Sequence, residues 1–179
     1  MKKLKLSPLK IYKMKTLILA LTLINLSSCA FLNPNPNRKQ ELANQGLTLR
    51  PFTTDYCSEW PDGQITDPKL WADCCFAHDL HYWIGGTVDQ RKQSDIELKS
   101  CVKNFSDSLN GFLMYMGVRM GGDPGNASYA WGYGWTLDRK YFELAPADKL
   151  QARELLKTTQ HNDDLKEKAI IDNFIEKNL

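Results

Sequence analysis

The sequence predicts a mainly α-helical domain braced by disulfides, and three observations carry that prediction. Apolar side chains recur at helical spacing in two successive stretches, about 68–83 and 88–116, joined by the short connection Gly85–Thr87. Two further stretches, 146–157 and 162–177, also read as helices, the second with Leu165, Ile171, Phe174 and Ile175 on one side. Cys57, Cys74, Cys75 and Cys101 follow an N-terminal segment that reads as an export signal. An even cysteine count in an oxidising compartment favours two bridges. Three pairings are open on these grounds, and the one joining the adjacent Cys74 and Cys75 is strained.

The 179-residue chain opens with six lysines before residue 16 and no acids. A short apolar run, Leu17–Ile24, then leads to Leu26-Ser27-Ser28-Cys29. The run is shorter than the roughly 20 residues of a membrane-spanning helix. A basic start, an apolar stretch and small residues before a cleavage point describe a secretory signal over 1–28. Met14 offers an alternative start that keeps a workable signal. Leu-Ser-Ser-Cys resembles the bacterial lipobox, which implies lipidation of Cys29, and Ala30 after it resembles the outer-membrane class of Gram-negative bacteria. Residues 29–50, with Asn33-Pro34-Asn35-Pro36-Asn37, read as a tether, and 51–179 as the domain. Removing 1–28 takes away six of 23 basic side chains and leaves 17 against 21 acidic ones, a net of −4. That balance argues against a nucleic-acid partner, and no protein partner can be inferred.

Within the domain, 55–66 is rich in turn formers, with Trp60-Pro61-Asp62-Gly63 reading as a tight loop. Thr66-Asp67-Pro68 reads as a helix start, a capping side chain followed by proline where its missing N–H costs nothing. The first helix carries Trp71, Cys74/Cys75, His78 and Tyr82 on its stripe and ends at Gly85-Gly86. The second carries Leu98, Val102, Phe105, Leu109, Phe112 and Met116, and the same stripe extended backwards reaches Asp95. The short connection makes the two helices antiparallel neighbours. Residues 120–136 form a loop of glycines and aromatics. Its Trp131-Gly132-Tyr133-Gly134-Trp135 cluster reads either as an interfacial rim or as core filling between loop and helices.

The chemistry concentrates in Asp73-Cys74-Cys75-Phe76-Ala77-His78-Asp79-Leu80-His81-Tyr82. His78 and Asp95 lie on the apolar stripes of neighbouring helices, where a polar group needs a partner. A carboxylate on one ring nitrogen fixes the tautomer and leaves the other nitrogen as a base. Asp79 projects elsewhere, toward the turn-rich loop, where carboxylate and carbonyl oxygens suit a hard cation such as calcium. A zinc site of Cys74, Cys75, His78 and His81 is the competing reading; adjacent cysteines suit one tetrahedral ion poorly, and oxidation competes for them.

Cys74-Cys75-Phe76-Ala77-His78-Asp79-Leu80-His81-Tyr82 resembles the Cys-Cys-x-x-His-Asp-x-x-Tyr motif of the secreted, calcium-dependent phospholipases A2. Thr54–Asp62 resembles the calcium loop of that family's bacterial and fungal branch, and Ser94–Leu98 the segment with its second catalytic residue. The likeness covers about 54–101. It implies a phospholipase A2-like fold, two antiparallel disulfide-linked helices preceded by a calcium loop, with additional C-terminal helices here. His78 would be the general base, Asp95 its orienting partner and Tyr82 a hydrogen-bond donor to Asp95. Asp79, Asp55 and the Tyr56 carbonyl would bind Ca²⁺. Cys57 would pair with Cys75, and Cys74 with Cys101. The loop departs from the animal enzymes, because Ser58-Glu59-Trp60-Pro61 has no glycine. No Gly-x-Ser-x-Gly elbow occurs in the chain.

The expectation is therefore a lipoprotein, held to the membrane by its lipid anchor, that hydrolyses the sn-2 ester of a phospholipid substrate. The rival expectation is a catalytically silent lipoprotein binding lipid or a partner on the same scaffold.

Overall fold

The computed structural model describes residues 48–179, apart from 124–125, 127–129 and 138. The export segment 1–28, the lipidation residue Cys29 and the tether up to residue 47 lie outside the described residues. Among the described residues there are five α-helices: α1 Ala72–Ile84, α2 Val88–Lys103, α3 Ser108–Gly121, α4 Pro146–Lys157 and α5 Leu165–Asn178, with a 3-10 turn Gln160–Asp163 before α5. The described residues contain isolated β-bridges, such as Leu49 to Trp135 and Gly86 to Tyr141. None of these helices is long and apolar enough to cross a membrane.

Helix α1 is the centre, buried on nearly every side. Phe76, Leu80, Trp83 and Ile84 pack with Leu49, Phe52, Trp135, Leu156, Ile171 and Phe174, while Trp71, Cys74 and Cys75 pack with Leu98, Val102 and Met114 on the other flank. Its start falls at Ala72, four residues beyond the expected Pro68. Residues 64–71 form turns instead, closed by paired backbone hydrogen bonds between Gln64 and Asp67. The Trp71 backbone N–H bonds the Asp62 carbonyl, and its indole N–H the Pro61 carbonyl at 2.6 Å. These tertiary bonds override the local capping signal.

Helix α1 ends at Gly85, as its glycines predict; its φ of 72° favours a residue without Cβ. The aromatic loop then closes this end. Trp135 and Trp131 donate indole N–H bonds to the carbonyls of Ile84 and Gly86, at 2.7 and 3.0 Å. The backbone N–H groups of Gly132 and Gly134 donate to the carbonyls of Tyr82 and Trp83. Terminal helix carbonyls need such partners. Trp131 and Trp135 are buried, so they fill core.

Helix α2 begins in a capping box: the Thr87 hydroxyl accepts from the Gln90 backbone N–H, and Gln90 Oε1 accepts from that of Thr87. The single helix expected over 88–116 is in fact two. Asp107 caps a new helix by accepting from the backbone N–H groups of Leu109 and Asn110. Gly111 then lets α3 fold back onto α2, since a Cβ there would lie 2.7 Å from the Lys99 carbonyl oxygen. The reversal turns the expected core stripe outward. Phe105, Leu109, Phe112 and Met116 are exposed, and Met114 takes the buried position.

The two disulfides join Cys57 to Cys75 and Cys74 to Cys101. Both cysteines of the competing zinc set are therefore consumed. The fold is mainly helical with two disulfides. Helix α5 buries Ile171 and Phe174 as expected, but Leu165 at its start is exposed.

Candidate active site

The antiparallel α1–α2 pair, clamped by Cys74–Cys101, brings His78 and Asp95 together. His78 Nε2 lies 2.9 Å from Asp95 Oδ1, with the two side chains 7% and 0% exposed. The Tyr82 hydroxyl donates to the same oxygen at 2.9 Å, and Arg119 Nη1 donates to Asp95 Oδ2 at 2.7 Å. Burial by itself raises the Asp95 carboxyl, but hydrogen bonds from His78 and Arg119, and then from Tyr82, hold it below its ordinary value. Asp95 is thus an anion and only accepts. His78 Nε2 must carry its proton, which leaves the Nδ1 lone pair free.

A second layer fixes the first. Arg91 is fully buried and donates to the Tyr82 and Tyr141 hydroxyls and to the Val118 and Arg119 carbonyls. A cation at the C-terminal end of α3 is favourable on its own account. Burial, followed by the charge of Asp95, raises the Tyr82 phenol above its usual range, so it stays a donor. Arg91 is not among the residues expected from the sequence; its place four residues before Asp95 on one helix is the signal that could have found it. Arg119 had no local signal, because it reaches Asp95 only through the reversal between α2 and α3.

His78 and Asp79 line a cleft of about 610 Å³. The 53–60 segment forms one wall, and Leu113, Met114, Gly117 and Val118 of α3 form another. The cleft also brings in Asp55 and Tyr56, so the three positions expected to hold a cation border one space. Tyr56 and Ser58 both have positive φ, 61° and 50°. The Cys57–Cys75 bridge and the Tyr56 hydroxyl, which donates to Glu167 of α5 at 2.5 Å, tie this loop to the core. Asp55 Oδ1 accepts from the Ser58 hydroxyl.

Asp79 Oδ2 accepts from the Thr54 hydroxyl at 2.6 Å, a partner that nothing in the sequence marked. Burial pushes the Asp79 carboxyl up to about 7; the Thr54 bond opposes this, and the charges of Asp55 and Asp62 add to it. Tyr133, whose hydroxyl donates to the Thr53 carbonyl, is raised by burial and then by Asp79 and Asp55. A buried carboxylate in the field of other carboxylates is a place where a cation lowers the energy. An all-oxygen donor set suits a hard one. Among the described residues no three His, Cys, Asp or Glu side chains converge as a metal-ligand group. The expected set of Asp79, Asp55 and the Tyr56 carbonyl contains two side chains of that kind.

Chemically, the arrangement offers an oriented imidazole base beside an acidic oxygen cluster at the floor of an apolar cleft. No protein-family model, curated protein or solved structure matches this chain.

Proposed function

We propose that this protein is a calcium-dependent phospholipase A2-like lipoprotein that hydrolyses the sn-2 ester of phospholipids, with water as the nucleophile. The observation that carries the reading is the buried His78–Asp95 pair next to Asp79 in an apolar cleft. His78 Nδ1 accepts a proton from water as the oxygen attacks the ester carbonyl. The buried Asp95 anion stabilises the imidazolium that forms and keeps the ring in register, while Tyr82 and Arg119 keep Asp95 in place. The same nitrogen returns the proton to the departing alkoxide, giving a free fatty acid and a lysophospholipid. Asp79, Asp55 and the Tyr56 carbonyl would hold the calcium. When bound, it supplies positive charge where negative charge develops on the ester carbonyl oxygen.

The outer face of α3 supports a lipid substrate. Leu109, Phe112, Leu113, Met116 and Met120 are 40–65% exposed along it, and Leu113 also lines the cleft. Exposed apolar patches of this kind mark contact surfaces. A lipid anchor on Cys29 would hold the domain near its substrate, in keeping with an exported lipoprotein of a Gram-negative outer membrane.

A second reading has one observation in its favour. Trp60 also lines the cleft, in a loop with no glycine between Asp55 and Asp62, and this favours a silent lipid binder. Fatty-acid release from mixed phospholipid vesicles by residues 30–179, with and without calcium, separates the two. Position-labelled phosphatidylcholine should lose its sn-2 chain only when calcium is present, and His78→Gln should abolish release with the fold intact. Full activity in His78→Gln would discard the mechanism, and release of the sn-1 chain alone would discard the positional assignment.

A further inference from the structure

The family likeness covers about 54–101, and helix α5 lies well beyond it, yet one side chain of α5 reaches the loop that borders the cleft. Glu167 Oε1 accepts from the Tyr56 hydroxyl at 2.5 Å, and His161 Nδ1 lies 2.7 Å from Glu167 Oε2. His161 and Glu167 are 13% and 12% exposed, so the contact is largely shielded from water. The His161 ring sits edge-on to Phe76 and tilted to Phe52, with centroids 5.2 and 5.5 Å apart. Asp164 caps α5 by accepting from the backbone N–H groups of Lys166 and Glu167, which fixes Glu167 in the first turn. An acid there favours the helix wherever its side chain points. This one turns inward, and both of its oxygens meet groups from outside α5.

The residue it contacts needs holding. Tyr56 and Ser58 have φ of 61° and 50°, a left-handed conformation that glycine adopts freely and other residues keep only where their surroundings fix it. No glycine occurs between Asp55 and Asp62. The Tyr56 backbone N–H donates to Thr54 Oγ1 at 2.9 Å, and the Thr54 hydroxyl donates to Asp79 Oδ2 at 2.6 Å. A chain of hydrogen bonds, continued through the body of Tyr56, thus runs from His161 to Asp79. We propose that Glu167, backed by His161, is a positioning residue for calcium. It holds the Tyr56 side chain, which fixes the loop backbone and the Thr54 bond to Asp79, and so sets the affinity of the cation site. The proposal rests on the calcium-dependent reading above, and it makes the C-terminal segment part of the site's construction.

Calorimetric titration of the purified protein with calcium chloride, beside its Tm in chelator, tests this. Tyr56→Phe keeps the ring and the carbonyl but loses the hydroxyl, and Glu167→Ala removes the acceptor. Each should raise the calcium Kd by about three- to tenfold. The double variant should bind no more weakly than the worse single one, because both remove the same contact. Glu167→Gln leaves an oxygen to accept from the hydroxyl and should restore most of the affinity. Glu167→Ala should also shift the amide resonances of 53–58 in the calcium-free protein. Ile171→Val, on the buried face of the same helix, should lower the Tm and leave the Kd unchanged. Native affinity in Tyr56→Phe and Glu167→Ala, additive losses in the double variant, or an equal loss in Ile171→Val would overturn the proposal and leave the hydrolase reading standing. No calcium binding by the native protein would overturn that reading, and the proposal with it.

Discussion

Replacing Asp79 by asparagine separates the cost of its buried charge from its use. The carboxyl is raised from 3.8 to about 7 by burial, against the Thr54 hydrogen bond and with the charges of Asp55 and Asp62. At ~1.4 kcal/mol per pKa unit, that rise penalises the ionised form by at most about 4 kcal/mol. Asp79 is partly exposed, and solvent screening reduces the expected penalty to about 2 kcal/mol. Because the folded pKa lies above the unfolded one, the folded chain binds more protons between about pH 4 and pH 7. Stability linked to this group is fully present below about pH 4 and is lost as pH rises through 7. Urea unfolding followed by tryptophan fluorescence, in chelator, should therefore show the native protein losing ground to Asp79→Asn across that window. By about pH 8 the variant should be the more stable by about 2 kcal/mol. Calcium at 100 times its Kd should return about 2.7 kcal/mol to the native protein and little to the variant. A native-minus-variant difference that is flat with pH, or equal stabilisation of both by calcium, would refute the account of Asp79 as a strained carboxylate awaiting a cation.

Three further outcomes follow from the same geometry. Arg119→Gln takes the 2.7 Å partner from a fully buried Asp95. With Arg119 itself 26% exposed, the loss of stability in urea should be about 1–3 kcal/mol, below the cost for a wholly buried pair. Gly134→Ala places a Cβ 2.3 Å from Trp83 Cδ1, and thermal unfolding should register overpacking of about 1–3 kcal/mol. The double variant Cys74→Ala/Cys101→Ala should cost about 2–4 kcal/mol and broaden the His78 and Asp95 resonances in NMR spectra, because that bridge clamps α1 to α2. Unchanged unfolding in any of these variants would remove the corresponding contact from the account.

The parts legible in the sequence were those set by short-range pattern. His78, Asp79 and Tyr82 are spaced along one helix, Asp95 lies on the stripe of the next, and Gly85-Gly86 ends the first because its backbone requires φ values that favour glycine. The cysteine pairing came from a motif likeness, and the structure joins the same pairs. What escaped was set by contacts between segments far apart in the chain. The start of α1 is decided by the Trp71 bonds to the Asp62 and Pro61 carbonyls, which outweigh a sound local cap at Thr66-Asp67. The apolar run Phe105–Met116 has helical period whichever way it faces. Only the Asp107 cap and the tight passage of Gly111 over Lys99 break the helix and turn that stripe to solvent. The same reversal delivers Arg119 to Asp95, and the 53–60 loop delivers Thr54 to Asp79. Periodicity records which side chains share a face of one element. It carries no information on which other element covers that face, and here the covering decides which residues hold the acidic groups of the site in place.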